Sequence, residues 1–159
     1  MDRITLQRIE SAHPLIREEL KKDYLYCNNK LLPNGVRLRF SHVYRSIEEQ
    51  NKLYNKRPKV TNAKGGQSIH NYGLAFDIVI LLDKDNNGTF ETASWNQDKY
   101  WFRVVDYFKS KGWSWGGDWE SFKDNPHFQK TFNNTWRTLK EKIDSGDFTE
   151  DNNVKYPNI

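Results

Sequence analysis

The chain has 159 residues, 36% of them hydrophobic and 14% aromatic, with six Trp. This composition excludes a disordered chain, and the length fits one folded domain. The formal net charge of +4 favours anionic partners, but the lysines are scattered, and without a recognition motif they support a nucleic-acid partner only weakly.

The cysteine count and the apolar runs narrow the class of protein further. Cys27 is the only cysteine, which excludes an intramolecular disulfide and leaves His, Asp and Glu as the ligands of any metal. No apolar run approaches the roughly 18 residues of a membrane span, and MDRITLQRIESAH lacks the apolar core of a signal peptide. We therefore expect a protein made in the cytoplasm that does not contact membranes.

The sequence pattern of the first half of the chain predicts two helices, then one strand, then a third helix. Apolar residues at helical spacing indicate two N-terminal helices, the second opened by Pro14. Val36, Leu38 and Phe40 alternate with polar residues and predict a strand. A capping box at 46–49 predicts a helix through residue 54.

The second half predicts two further strands and two helices. Residues 75–82 read as a buried strand and residues 127–129 as a short one, with an amphipathic helix ending before Gly112 and a last helix at about 133–145. Because no regular βαβ rhythm links these elements, we expect an α+β fold in a single domain over 1–159, with a small, mainly antiparallel sheet flanked by helices.

Two histidines and an aspartate have the residue types of a metal site. His70 lies in a glycine-flanked loop, and Asp77 lies in the buried strand, where a carboxylate is costly unless it is paired or bound to a cation. His127 follows Asp124 by three positions. Two His and one Asp can hold a catalytic zinc, with Asp124 as the general base. From spacing alone, a structural His70, a salt-bridged Asp77 and a strand residue His127 remain the alternative.

Three segments of the chain, in order, resemble one enzyme family. Residues 68–77 (SIHNYGLAFD) match the SxHxxGxAxD signature of zinc peptidases that include VanY-like D-alanyl-D-alanine carboxypeptidases and L-alanyl-D-glutamate endopeptidases. YRSIEEQNKLY at 44–54, and WGGDW at 115–119 with DNPHF at 124–128, resemble the endopeptidase branch, which contains phage endolysins and bacterial wall-lytic enzymes. The resemblance covers about residues 36–130.

The resemblance implies one zinc ion per chain. Its ligands would be His70, Asp77 and His127. Asp124 occupies the position at which the family carries a catalytic Glu or Asp. Arg45 matches an arginine that faces the substrate, where a cation stabilises the oxyanion; an arginine paired with Glu48 or Glu49 is the alternative.

The remaining polar and aromatic residues of these segments allow functional and structural interpretations. Ser68, Gln50 and Trp115 are candidate substrate-binding residues, although Trp115 and Trp119 are also typical of core or cleft walls. Asp118 and Glu120 are rival bases, but Asp118 follows two glycines, where a carboxylate commonly bonds to its own turn.

The other two histidines, His13 and His42, need no function. His42 alternates with Phe40 on the predicted strand, and His13 precedes Pro14 at a helix start.

Residues 83–88 (DKDNNG) match the first half of an EF-hand calcium loop. The loop places Glu91 at position nine and Ser94, instead of a bidentate glutamate, at position twelve. A polar hairpin loop is therefore the favoured interpretation of Asp83–Gly88, and a weak calcium site is the alternative.

The resemblance implies hydrolysis of the peptidoglycan stem peptide by a zinc-activated water, at the L-alanyl-D-glutamate bond. The alternatives are a D-alanyl-D-alanine carboxypeptidase or dipeptidase with the same metal site, and a non-catalytic zinc module of the same fold. Asp124 argues against the last, because a structural site needs no base. We expect a monomer that acts on the wall after release or export.

Overall fold

Five α-helices and seven strands form residues 2–159, the part of the chain that the computed structural model describes. The helices are α1 (Arg3–Ile9), α2 (Pro14–Tyr26), α3 (Ile47–Tyr54), α4 (Lys99–Ser110) and α5 (Trp136–Asp144). The strands are β1 (Val36–His42), β2 (Ala75–Leu82), β3 (Thr92–Ser94), β4 (Ser114–Trp115), β5 (His127–Gln129), β6 (Phe148–Asp151) and β7 (Val154–Pro157).

The strand β2 is the centre of a five-stranded antiparallel sheet. The order is β1-β2-β5-β4, and β3 also pairs with β2. The last two strands, β6 and β7, form a separate antiparallel hairpin. The expected α+β fold with a small antiparallel sheet is confirmed.

An aromatic cluster holds the centre of the sheet in register. Phe76 on β2 stacks on Phe40 of β1 with ring centroids 4.3 Å apart and on Phe128 of β5 at 5.1 Å. Phe108 of α4 packs edge-on against Phe76 at 4.9 Å. Because side chains alternate along a strand, burying Phe76 in this core turns its neighbour Asp77 to the opposite face of the sheet.

Side-chain caps fix several helix starts. The predicted capping box at Ser46 is present, and His13 Nδ1 accepts a hydrogen bond from Leu15 N at the start of α2. The other ring nitrogen of His13 lies 2.7 Å from the Pro157 carbonyl oxygen, so this histidine ties α2 to β7. Thr135 caps α5, which therefore begins later than the expected position near residue 133.

A 3₁₀ helix at Ile69–Tyr72 and the C-terminal hairpin were not predicted, and they pack together. The 3₁₀ helix ends at Gly73, which has φ +70°. A Cβ at Gly73 would lie 2.6 Å from His13 N and 3.0 Å from the Tyr156 ring. Only glycine allows both this backbone conformation and this close approach. No helix within residues 2–159 has the length and apolarity needed to cross a membrane.

Candidate metal centre and catalytic cleft

A cleft of about 1070 Å³ lies on the face of the sheet opposite the aromatic cluster. Its floor is formed by residues from β1, β2 and β5, and its walls come from the loops around residues 60–63, 67–70 and 119–124 and from the segment before α5. All three predicted metal ligands line this cleft.

The strand register brings two of the predicted ligands together. Asp77 is directly opposite His127 on β5 and His42 on β1. Directly opposed residues of antiparallel strands have Cβ atoms about 5 Å apart, which explains how two residues distant in sequence come to share a site. His70 joins them from the 3₁₀ helix that precedes β2.

The ligand atoms of these residues converge on one oxygen. Asp77 Oδ1 lies 3.2 Å from His70 Nε2 and 3.1 Å from His127 Nδ1. One atom from each of the three residues lies within 4.8 Å of the others. Both histidines are buried. The structure therefore brings the three predicted ligands together, and their binding of a metal stays a prediction.

Hydrogen bonds behind the histidines set their tautomers. His70 Nδ1 lies 2.7 Å from the Val43 carbonyl oxygen, which can only accept a hydrogen bond, so Nδ1 carries the proton and Nε2 has a lone pair. His127 Nε2 lies 2.9 Å from Gln129 Oε1, which leaves Nδ1 as the free nitrogen. Two lone pairs and a carboxylate thus meet at one point, an arrangement that a cation satisfies.

The electrostatics of the cluster agree with a need for positive charge. Burial raises the pKa of Asp77, but the adjacent His70 and His127 outweigh burial and lower that pKa below its usual range. Burial lowers the pKa of His127, but the Asp77 carboxylate outweighs burial and raises it. A metal ion or a proton on His127 can supply the missing charge. Two imidazole nitrogens and one carboxylate oxygen fit a divalent transition metal.

Asp124 lies at the mouth of the cleft, next to the cluster. Its Oδ2 is 3.9 Å from His127 Nδ1, and 49% of its side chain is exposed. Burial raises the pKa of Asp124, and the negative charge of Asp77 raises it further, which makes the carboxylate a stronger proton acceptor. The rival acid Asp118 forms an ion pair with Lys109 at 2.6 Å.

Two hydrogen bonds fix the backbone of Asp124, one at its N–H group and one at its carbonyl group. Asp124 N donates to the Gly116 carbonyl oxygen at 3.1 Å, and the Asp124 carbonyl oxygen accepts from His127 N at 3.1 Å. A Cβ at Gly116 would collide with the Asp124 carbonyl group. Neither Asp118 nor Glu120 is among the residues that line the cleft.

Arg45 is held toward the cleft by a buried amide. Its Nη1 donates to Gln50 Oε1 at 3.1 Å, and Gln50 Nε2 donates to the Ala63 carbonyl oxygen at 2.9 Å. Arg45 and Gln50 both line the cleft. Within residues 2–159, Arg45 forms no ion pair with Glu48 or Glu49, so the alternative pairing is not observed there.

Ser68 and Trp115, the other predicted substrate-binding residues, differ in placement. Ser68 lines the cleft, and its Oγ accepts a hydrogen bond from His70 N at 3.3 Å. Trp115 does not line the cleft; its Nε1 donates to the Asn125 carbonyl oxygen at 2.6 Å. This contact holds the segment that leads to His127, so Trp115 supports the site from outside the cleft.

Three residues of the site were missed by the sequence analysis. His42, expected to be structural, lines the cleft with Nδ1 3.6 Å from Asp77 Oδ2. Gln129 orients His127, and Asn71 Nδ2 donates to the Arg45 carbonyl oxygen at 2.8 Å. Gln129 shares the strand face of His127 at a spacing of two, and this spacing is the signal that could have identified it.

A second acidic cluster lies in the loop after β2. Carboxylate oxygens of Asp83, Asp85 and Glu91 lie within 4.8 Å of one another. The first two already accept hydrogen bonds from their own loop, including Gly88 N to Asp83 Oδ2 at 2.8 Å and Asn87 Nδ2 to Asp85 Oδ2 at 3.0 Å. These contacts account for a polar hairpin loop, and calcium binding stays a prediction.

Several known proteins are similar to this chain. The family described as D-alanyl-D-alanine carboxypeptidase matches residues 61–130. The peptidoglycan L-alanyl-D-glutamate endopeptidase CwlK of Bacillus subtilis is 36% identical over 125 residues, which cover 74% of this chain and 72% of that protein. The L-alanyl-D-glutamate peptidase of a Listeria phage is 33% identical over 96 residues, 60% of this chain and 31% of the phage protein.

A solved structure has a similar fold. The crystal structure of the L-Ala D-Glu endopeptidase ChiX of Serratia marcescens superposes with a TM-score of 0.54 and 25% identity, covering 80% of this chain and 86% of that one. The match to CwlK extends over most of both chains, and His70, Asp77 and His127 all lie within the residues that the family description covers. The chain therefore belongs to the peptidase family that includes the D-alanyl-D-alanine carboxypeptidases and the L-alanyl-D-glutamate endopeptidases.

Proposed function

We propose that the protein is a zinc-dependent peptidase that hydrolyses the L-alanyl-D-glutamate bond in the stem peptide of peptidoglycan. The observation that carries this proposal is the convergence of His70 Nε2, His127 Nδ1 and Asp77 Oδ1 beside Asp124 in an open cleft. The names of the relatives from Bacillus, the Listeria phage and Serratia support the choice of bond.

Zinc is the metal that the ligand set favours. Two histidines and one carboxylate are a protein ligand set of catalytic zinc, which keeps a further position open. When bound, zinc polarises a carbonyl group and lowers the pKa of a water to about 7. The open side of the cluster faces the cleft, where Asp124 and Arg45 lie.

Asp124 is assigned as the residue that moves the proton. Its carboxylate accepts a proton from the attacking water as the water oxygen bonds to the scissile carbonyl carbon. The same proton then passes to the amine nitrogen as the carbon–nitrogen bond breaks. A half-exposed carboxylate with a raised pKa suits both steps, because it accepts the proton and also releases it.

Arg45 is assigned to the oxyanion that forms on the carbonyl oxygen. Its guanidinium is oriented by the buried Gln50 before the substrate arrives. Preorganised charge of this kind contributes to the rate because it needs no rearrangement as the oxyanion forms. Ser68 accepts from His70 N, so its hydroxyl proton remains available to a substrate carbonyl group.

Digestion of purified peptidoglycan tests the proposal. The new chain ends after incubation with the metal-loaded protein would be mapped by mass spectrometry, with the Asp124→Asn variant as the matched control. A new L-alanine carboxyl group and a new D-glutamate amine are expected. Loss of terminal D-alanine alone would instead show a D-alanyl-D-alanine carboxypeptidase, the activity in the matching family description.

We further propose that the protein reaches the wall by release or export after synthesis in the cytoplasm. The proposal follows from a peptidoglycan substrate, which lies outside the membrane. Fractionation of producing cells over time, with detection of the protein in wall and medium, checks it. A protein that is found only in the cytoplasm of intact cells, and never in the wall fraction even after lysis, contradicts it.

A further inference from the structure

Among residues 2–159, Phe122 is the most exposed of the large hydrophobic side chains, with 83% of its surface accessible. Its backbone has φ 54°, in the left-handed region. A bulky residue at positive φ is a genuine outlier, because its side chain crowds the backbone there. Phe122 therefore has an unfavourable backbone conformation, although its ring is not covered by protein. Strained residues of this kind are characteristic of binding sites.

The position of Phe122 connects it to the catalytic residues. The side chain lines the cleft, as do its loop neighbours Trp119 and Lys123. Hydrogen bonds from Trp119 N and Asp124 N to the Gly116 carbonyl oxygen close this loop at its base. Phe122 thus lies two residues from the proposed base, and a molecule bound in the cleft can cover its ring.

A second exposed apolar side chain lines the same cleft. Val60, on the loop after α3, is 58% exposed. The nearby Ala63 carbonyl oxygen accepts a hydrogen bond from Gln50 Nε2, which links this loop to the residue that orients Arg45. Both exposed apolar groups therefore border the space beside the catalytic residues.

We propose that Phe122, together with Val60, binds the alanine side of the scissile bond. This inference rests on the proposed function. Of the two residues that flank an L-alanyl-D-glutamate bond, alanine presents a methyl group and glutamate presents a carboxylate. Covering the methyl group removes apolar surface of both partners from water, whereas covering a carboxylate with a ring costs free energy. Phe122 is thus a substrate-binding residue that supplies affinity and orientation.

Steady-state kinetics on purified soluble wall fragments test this inference. For Phe122→Ala we expect KM to rise about 10-fold or more with kcat changed less than about twofold, because apolar contact is lost without loss of the catalytic groups. Phe122→Tyr should restore KM. The matched control is Trp95→Ala, since Trp95 is 53% exposed but does not line the cleft, and its KM should equal the wild-type value.

The Phe122→Gly variant separates a binding role from a structural one. Glycine tolerates positive φ, so the melting temperature should stay equal or rise while KM rises. An unchanged KM in Phe122→Ala, or a melting temperature that falls in Phe122→Gly, overturns the inference while leaving the proposed function intact. A wild-type protein that leaves L-alanyl-D-glutamate bonds uncut overturns the proposed function first, and the inference with it.

Discussion

Two clusters in this molecule bring three potential metal ligands within 4.8 Å of one another, and they differ in what lies behind the ligand atoms. At the cluster of His70, Asp77 and His127, both histidines are buried, and outer acceptors direct their free nitrogens at one carboxylate oxygen. At the loop cluster around Asp83 and Asp85, the carboxylates are more exposed and already accept hydrogen bonds from the loop.

The difference shows that proximity of ligands is a weak criterion for a metal site. In the loop, internal N–H donors form hydrogen bonds with the carboxylates of Asp83 and Asp85, so these two groups have partners without an ion. In the cleft, His70 and His127 donate their N–H groups to the carbonyl oxygen of Val43 and the side-chain oxygen of Gln129, respectively. The lone pairs on the other ring nitrogens therefore have no hydrogen-bond donor. Such outer contacts commonly raise ligand basicity and fix ring orientation. The next five predictions test this comparison, from the largest expected effect to the smallest.

The largest effect is expected from His70→Ala. The variant removes one metal ligand, so the rate of peptidoglycan digestion should fall at least about 10³-fold, since a catalytic metal lowers the barrier by several kcal/mol. The measurement is the initial rate of release of new amino termini. Asp83→Asn, in the other cluster, is the control and should digest at the wild-type rate. Comparable loss in both variants would remove the distinction between the clusters.

Asp124→Asn should lower kcat by about 10² to 10⁴, the range for loss of a general acid–base group. The substitution keeps the shape of the side chain and removes no metal ligand, so the metal content should stay at the wild-type level. Asp118→Asn is the matched control, because Asp118 pairs with Lys109 outside the cleft. Wild-type kcat in Asp124→Asn would contradict the assignment of the base.

Much of this site could be predicted from the chain, for physical reasons that are specific to each residue. Asp77 stands out because a carboxylate in an apolar strand needs a partner, and His70 and His127 follow from the resemblance to a spaced signature. His42 could not be predicted, because its approach to Asp77 depends on the register between β1 and β2. A pattern of alternation shows which face a residue occupies and leaves open which residue lies opposite.

The fold shows the same division between local and long-range information. The helix over residues 47–54 was predicted from its capping box, a local interaction. The C-terminal hairpin was not predicted. Tyr156 is buried beside Gly73 and His13, and its hydroxyl group donates to the Ser11 carbonyl oxygen at 2.8 Å. These contacts join the two ends of the chain, and no short sequence pattern encodes them.

Gln129→Ala tests the outer contact directly. Loss of the acceptor for His127 Nε2 should weaken metal affinity about 10- to 100-fold, the usual range for second-shell substitutions. Competition with a chromophoric chelator measures the dissociation constant. Gln129→Glu keeps an acceptor and should bind the metal within about tenfold of wild type, or more tightly. Unchanged affinity in Gln129→Ala would show that the strands alone orient His127.

Asp2 has a buried carboxylate that accepts its hydrogen bonds from protein side chains. Its oxygens accept hydrogen bonds from Arg39 and Thr5 at 2.6–2.9 Å. Burial raises the pKa of Asp2, but the hydrogen bonds from Arg39 and Thr5 outweigh burial and lower it. The stabilisation is therefore complete above the unfolded-state pKa of about 3.9 and is lost as the pH falls through the lower folded-state pKa.

For Asp2→Asn we expect the free energy of unfolding at pH 7 to fall by roughly 1–2 kcal/mol, because the hydrogen bonds lose their charge. The difference from wild type should shrink as the pH falls below about 3.9, where the Asp2 carboxyl group becomes protonated in the unfolded chain, and disappear once the pH is below the lower folded-state pKa. Urea unfolding at several pH values measures both. A difference that is the same at pH 7 and at low pH would contradict the role of the charge.

The smallest effect is expected from Asp83→Asn. The substitution weakens exposed hydrogen bonds within one loop, so the free energy of unfolding should change by less than about 1 kcal/mol. Addition of calcium should leave the melting temperature of the wild type unchanged. A calcium-dependent rise in the wild type that disappears in the variant would show that Asp83–Gly88 is a calcium site.

The metal content of the purified protein tests the central claim most directly. Wild type, His70→Ala and Asp83→Asn would be measured side by side by elemental mass spectrometry after removal of loosely bound ions. We predict one zinc per chain in wild type and in Asp83→Asn, and none in His70→Ala. Zinc retained in His70→Ala, or absent from the wild type after exposure to zinc, would contradict the assignment of the metal to His70, Asp77 and His127.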